Sequence, residues 1–274
     1  MTSNDAVTPR EIEECLGRSG YLMESRLVRA LVEEGYFVEP NQSIRDPRTG
    51  KSREIDLLAE YYKWNPAHDR IAVKTTFVLE ALNNKYPFVL LTERPSTPNA
   101  DFESYIKFIN TPEPSPFLDS LDLYEEKKAD WNNLYSQYCA LTRKSNKPEL
   151  MASHPDDVYA SLLKLAEYVE DEIARWSSFE EQEPYWRLFF WQPMLVVGGQ
   201  LVAVAIDKHG ITQIKDSDFG RLEFNWHAAE ESRTTVIEVV TEKCLLNRLA
   251  NIRAKDEELA TKLHQLKVKG PAAK

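Results

Sequence analysis

Apolar residues along this chain recur in two rhythms, every third or fourth position in some stretches and in short β-type runs in others, and the changes of rhythm predict its elements. Thr8-Pro9-Arg10-Glu11 combines a capping threonine, a proline at the first helical position and a glutamate that reaches back. A short helix to about Leu16 follows, then a break from Gly17 to Gly20. The spacing of Leu22, Leu27, Ala30 and Leu31 predicts a second helix over Tyr21 to Glu34, stopped by Gly35. Tyr36 to Ile44, interrupted by Pro40, reads as an edge strand, and Asp46-Pro47-Arg48-Thr49-Gly50 as the turn into a strand from Arg53 to Ala59. Asn65 to Asp69 connects to a long strand from Ile71 to Leu82, and a turn at Asn83-Asn84 leads to a fourth strand, Tyr86 to Thr92.

Beyond Thr92 the rhythm is less regular. Arg94 to Pro116 holds five prolines, which predicts an irregular crossing with a short helix at Phe102 to Ile109. Trp131, Leu134, Tyr135 and Tyr138 place a helix over Tyr124 to Leu141. His154-Pro155-Asp156-Asp157 caps a long amphipathic helix to about Trp176, with Val158, Leu162, Leu165, Ala166, Val169 and Ile173 on one side. Trp186 to Val197, Gly198-Gly199 and Gln200 to Ile206 predict a tight hairpin, because two glycines supply the positive φ angles such turns need. Strands at Leu222 to His227 and Thr234 to Thr241 and a helix from Glu242 to Leu266 close the chain. The predicted class is mixed α+β, a central mixed sheet flanked by helices with additional C-terminal strands and a helix.

Two strands carry a carboxylate where a soluble strand normally carries an apolar residue. In Glu54-Ile55-Asp56-Leu57-Leu58 the alternation breaks, which leaves Asp56 between apolar neighbours; Glu80 stands near the end of a run rich in Val, Thr, Phe and Leu. A shielded carboxylate is costly unless a cation, a hydrogen-bonding network or a metal ion relieves it. Two carboxylates converging from adjacent strands suit Mg²⁺, which takes oxygen ligands and keeps several waters. Such an ion activates water and stabilises a phosphoryl transition state.

An upstream helix with a glutamate (GYLMESRLVRALVEEGYFV), a hairpin with REIDLLA, and a strand ending in Glu followed by NNKYPFVLL together resemble the PD-(D/E)XK, or restriction-endonuclease-like, superfamily. The resemblance covers about residues 8 to 92. It implies a nuclease-like core, Mg²⁺ as cofactor, nucleic acid as partner, and Glu24, Asp56 and Glu80 as the three acids that gather the metal. The family's E-x-K triplet reads Glu80-Ala81-Leu82 here, so an apolar leucine stands where the family has the lysine that assists the attacking water. Lys85, in the following turn, is the candidate for that catalytic role. Lys74 shares a strand face with Glu80 but lies roughly 20 Å along the strand.

Composition narrows this picture. With 274 residues, 42% apolar and 28% charged, the chain suits one large domain or two modest ones. We divide it into a nuclease-like core at 1–92, a crossing and helical segment at 93–180, and a second sheet segment with a helix at 181–274, packed as one unit. The formal charge of −10 weighs against a broad phosphate-binding face. A local basic groove would draw on Arg45, Arg48, Lys51 and Arg53, with Lys63 and Arg70 nearby; the same residues also read as solvated turns. The lack of an apolar run of membrane-span length, together with the polar start of the chain, predicts a cytoplasmic protein with no membrane partner.

Cys15, Cys139 and Cys244 form no metal or disulfide pattern and read as small buried residues. His209, His227 and His264 lack zinc-enzyme spacing. The aromatic run Tyr185, Trp186, Phe189, Phe190 and Trp191 could stack bases, although its strand spacing suits a core or subunit contact better. Three functions follow. The first is a Mg²⁺-dependent phosphodiesterase acting on nucleic acid. The second is a catalytically degenerate nuclease-fold protein that binds nucleic acid, a second copy or a partner protein. In the third, a structural subunit, the acids only pair with Arg26, Arg29 or Arg53.

Overall fold

The computed structural model describes residues 7–45, 50–62, 71–94, 107–110, 134–143, 149–177, 186–228 and 231–269. Two helices open the chain, α1 (Pro9–Ser19) and α2 (Tyr21–Glu33). At the first, the Thr8 hydroxyl accepts from the Glu11 N–H while the Glu11 carboxylate accepts from the Thr8 N–H, the reciprocal cap that the sequence implies. Helix α1 runs through Gly17, so the break falls three residues later than expected, at Gly20, whose φ of 91° ends one helix and starts the next.

Among the described residues twelve strands build one mixed sheet. They are β1 (Phe37–Arg45), β2 (Ser52–Glu60), β3 (Ile71–Leu82), β4 (Phe88–Arg94), β5 (Lys107–Asn110), β6 (Leu134–Arg143), β7 (Leu150–Ser153), β8 (Trp186–Val197), β9 (Leu201–Ile206), β10 (Thr212–Ser217), β11 (Phe219–Ala228) and β12 (Glu231–Thr241). Helix α3 (Asp156–Ser177) lies between β7 and β8, and a 3-10 turn (Glu242–Cys244) leads into α4 (Leu245–Lys269). The spatial order is β1-β2-β3-β8-β12-β11-β6-β4-β9-β10, with β5 on β8 and β7 on β6. Strands β3, β8 and β12 run parallel, and antiparallel pairs flank them. The three segments read from the sequence therefore interleave: β3 joins β8, and β6 lies between β11 and β4.

Helices cover both faces of the central strands. On one face α3 packs Leu162, Leu165 and Val169 against Ile55, Val78 and Leu195. On the other, α2 (Met23, Leu27, Leu31) and α4 (Leu245, Leu249) close over Leu57, Phe77, Leu79 and Val196. A strand buried on both faces needs apolar residues at nearly every position, which is why Phe77-Val78-Leu79 is continuous and why Glu80 stands out at its end.

Three expectations fail, each for a local reason. The Gly198-Gly199 hairpin does not form. Strand β8 is already flanked by β3 and by β12 with β5, and β9 pairs with β4 and β10 instead. Neither glycine has a positive φ; the Gly198 N–H donates to the Leu82 carbonyl and the Gly199 N–H to Asn84 Oδ1, which fixes the loop to the β3–β4 turn. The described part of the predicted Tyr124 to Leu141 helix is strand β6. Tyr135 and Tyr138 both belong to the α3-side core although three residues apart, and the β4–β6 ladder is interrupted between them at Ser136, opposite Thr92 with its φ of 59°. That irregularity imitates helical spacing. The described end of the predicted helix at Phe102 to Ile109 is strand β5, and the rest of both predictions lies outside the described residues. Of the cysteines Cys139 is buried, whereas Cys15 is exposed.

Candidate functional site

Register brings the two strand carboxylates together. Strands β2 and β3 pair through Leu57 opposite Leu79, and the next step along that register sets Asp56 opposite Glu80. Leu58 and Val78, two residues away, face α3, so alternation turns both carboxylates to the α3 side. The backbone ladder stops at this step, and the carboxylates replace it. The Asp56 N–H donates to Glu80 Oε1 at 3.2 Å, and the Ala81 N–H donates to Asp56 Oδ2 at 2.8 Å. Each acid thus holds the strand of the other where the two begin to part.

Like charges directly opposite on a sheet repel, and here the countercharge comes from α3. Lys164 Nζ lies 2.6 Å from Glu80 Oε2 and 3.7 Å from Asp56 Oδ1, and it donates to the Glu54 carbonyl at 2.6 Å. The ammonium is fixed between both strands. Glu80 is 2% exposed; burial, then the nearby Asp56, raise its pKa to about 7 against the opposing pull of Lys164. Glu24, in the first turn of α2, belongs to the same electrostatic unit. Burial first and Asp56 second raise its pKa, and Lys164 lowers it.

The structure therefore pairs Asp56 with Glu80 across the two strands, couples Glu24 to them only electrostatically, and does not bring Lys85 there. Lys85 is exposed, with its ammonium 5.7 Å from the centre of the Tyr86 ring, and it makes no ion pair among the described residues. Lys74 is bound to Glu60 at 2.7 Å and lies over Phe189. Nor do the arginines of the third reading serve these acids: Arg26 pairs with Glu242, Arg29 with Glu33 and Arg53 with Glu167. Sequence reasoning missed Lys164. The available signal was a lysine between Leu163 and Leu165, in a helix whose buried residues from Leu162 to Val169 cover more than one side.

Of the basic groove candidates, Arg45 and Lys51 are exposed and Arg53 is half-buried; Arg48, Lys63 and Arg70 lie outside the described residues. Phe190 and Trp191 are core, which favours the packing reading of that aromatic run. Among the described residues no three Asp, Glu, His or Cys side chains form a ready-made metal cage, and no helix is long and apolar enough to cross a membrane. No family model matches the chain, and neither a curated protein nor a solved structure is detectably similar to it.

Proposed function

We propose that the chain is a metal-dependent phosphodiesterase of the PD-(D/E)XK type acting on nucleic acid, with Lys164 of α3 in place of the lysine that the strand triplet lacks. The observation that carries this reading is the meeting of an ammonium from a helix with two facing strand carboxylates. Three groups from three elements meet directly, Glu80 buried and Asp56 and Lys164 half-buried, with half-buried Glu24 in electrostatic reach.

The donor set fits a hard divalent cation. Its carboxylates offer only oxygen, and Asp56 and Glu80 against one ammonium leave negative charge in excess. Asp56 and Glu80 would hold the ion with waters completing its shell, and Glu24 would face it. A bound Mg²⁺ would lower the pKa of a water and polarise a phosphoryl oxygen. Lys164 orients the attacking water and opposes charge developing on the phosphoryl oxygens, the work for which Leu82 is unfit. The backbone bonds of Asp56 and Glu80 hold the acids in place beforehand, and this limits reorganisation during reaction.

A second reading has its own support. Both oxygens of Glu80 are already engaged, one by the Asp56 N–H and one by Lys164. A cluster closed on itself in this way suits a degenerate nuclease fold that binds nucleic acid or a protein partner. Cleavage of plasmid, linear duplex, single-stranded DNA and RNA with Mg²⁺ or Mn²⁺ decides between the two. The catalytic reading expects metal-dependent cutting that Asp56→Ala and Glu80→Ala abolish. A folded wild-type protein that cuts none of these substrates would overturn it in favour of the binding module.

A further inference from the structure

A cavity of about 720 Å³ opens at the carboxyl ends of β8 and β12, beneath α2 and the start of α4. Topology explains its position. The chain leaves β8 through Gly198-Gly199 toward β9, which lies beyond β12, β11, β6 and β4; it leaves β12 through the 3-10 turn into α4, which returns over β3. Exits that diverge from neighbouring parallel strands leave a crevice at the switch point, the place where open mixed sheets take ligands. Its size falls in the range of small-molecule sites. Gly198 and Gly199 form part of the wall as bare backbone. A side chain on Gly199 would come within 2.5 Å of the Asn84 carbonyl oxygen, so the sequence keeps this wall thin.

The lining has two characters. The apolar floor is Ala30 and Leu246, both half-buried, backed by the buried Leu27, Leu201 and Leu245. The rim carries Arg26 and Lys243, with Gln200, Ser217 and Thr241 as neutral polar groups and Asp216 and Glu242 as acids. Arg26 holds Glu242 through two hydrogen bonds, of 2.7 and 2.9 Å, and Lys243 holds Asp218 at 2.8 Å. Both cations are well exposed, at 58% and 77%, and exposed pairs of this kind contribute little. A phosphate competes well for them, because its charge and three acceptor oxygens form stronger charge-assisted bonds. It would also sit near the amino end of α4, 25 residues long, where aligned peptide dipoles favour an anion and disfavour an organic cation.

We propose that this cavity binds a mononucleotide, with the base on the leucine floor and the phosphate between Arg26 and Lys243. The site is separate from the acidic cluster, although α2 contributes to both, and it stands whether or not that cluster cleaves nucleic acid. The test is calorimetric titration of the full chain, in metal-free buffer, with AMP, GMP, CMP and UMP, each beside its nucleoside and inorganic phosphate. At least one monophosphate should bind one to one, with nucleoside and phosphate each weaker by about tenfold or more. Ala30→Trp, which fills the floor, should abolish binding, and Lys243→Ala should weaken it by about tenfold or more. Asp56→Ala should leave it unchanged. Lys243 is a surface residue, so its variant keeps the test valid even if Ala30→Trp fails to fold. The proposal is overturned if no monophosphate binds, if phosphate or nucleoside alone binds as tightly, if binding survives Lys243→Ala, or if Asp56→Ala removes it.

Discussion

Glu238 and Glu80 are both buried carboxylates on neighbouring stretches of one sheet, yet they face opposite ways in space and in charge. Glu238, on the α2 and α4 face of β12, is fully buried and accepts two hydrogen bonds from the Arg248 guanidinium, with Arg221 3.6 Å away. Two guanidinium groups serve one carboxylate. On the α3 face Glu80 lies opposite a second carboxylate, Asp56, and the Lys164 ammonium faces the pair. The first arrangement is what a fold needs to bury an acid with its charge satisfied. The second leaves negative charge in excess, and that excess is what the proposed metal site rests on.

This contrast predicts opposite phenotypes. Glu238→Ala should destabilise the protein by about 3–5 kcal/mol, because it leaves a buried guanidinium without its carboxylate. Urea denaturation reads this as a lowered midpoint, and the folded fraction should keep its cleavage rate per molecule. A loss under about 1 kcal/mol would erase the structural half of the comparison.

Lys164→Met should do the reverse. Single-turnover cleavage should fall by about 10²–10³-fold, in the range seen when one preorganised charge-stabilising donor is lost. The variant should still melt cooperatively, and Mg²⁺ should raise its melting temperature more than that of the wild type, since the acids then lack the cation that faces them among the described residues. Equal cleavage by wild type and variant would remove Lys164 from the chemistry.

These two clusters also mark how far the sequence could be read. Strands β2 and β3 were legible because Asp56 and Glu80 interrupt runs whose apolar content already demanded burial. The acids declared themselves by being out of place. Lys164 did not, since a lysine in an amphipathic helix is ordinary, and only tertiary folding carries it 110 residues back along the chain to the Glu54 carbonyl. Gly198-Gly199 misled for a related reason. Two glycines permit a tight turn without requiring one, and here their amides are taken by Leu82 and Asn84 from elsewhere in the sheet.

A smaller effect concerns pH. Glu80 titrates near 7 in the folded chain and near the ordinary 4.5 when unfolded. The folded form therefore holds its proton to higher pH, so the contribution of this group to stability is fully present below about 4.5 and is lost as pH rises through about 7. In metal-free buffer the wild type should lose stability between pH 5 and pH 8 on the order of 2 kcal/mol more than Glu80→Gln does. Glu24 shifts in the same direction, so the comparison with the variant is what isolates Glu80. Protons and a divalent ion compete for the same oxygens, and apparent Mg²⁺ affinity should rise over the same interval. A pH profile that Glu80→Gln leaves unchanged would show that this carboxylate is already ionised at neutral pH.

The smallest effect sharpens the comparison most cheaply. Lys85 is the nearest lysine to Glu80 in sequence, and its ammonium stands in solvent over Tyr86. Removing an exposed side chain with no ion pair changes stability by no more than about 0.5 kcal/mol. If spatial placement rather than proximity in sequence decides which lysine serves the acids, Lys85→Ala should cut within about twofold of the wild-type rate while Lys164→Met does not. A steep loss in Lys85→Ala with Lys164→Met active would mean that the β3–β4 turn folds over the acids during reaction, and that α3 supplies only a structural cation.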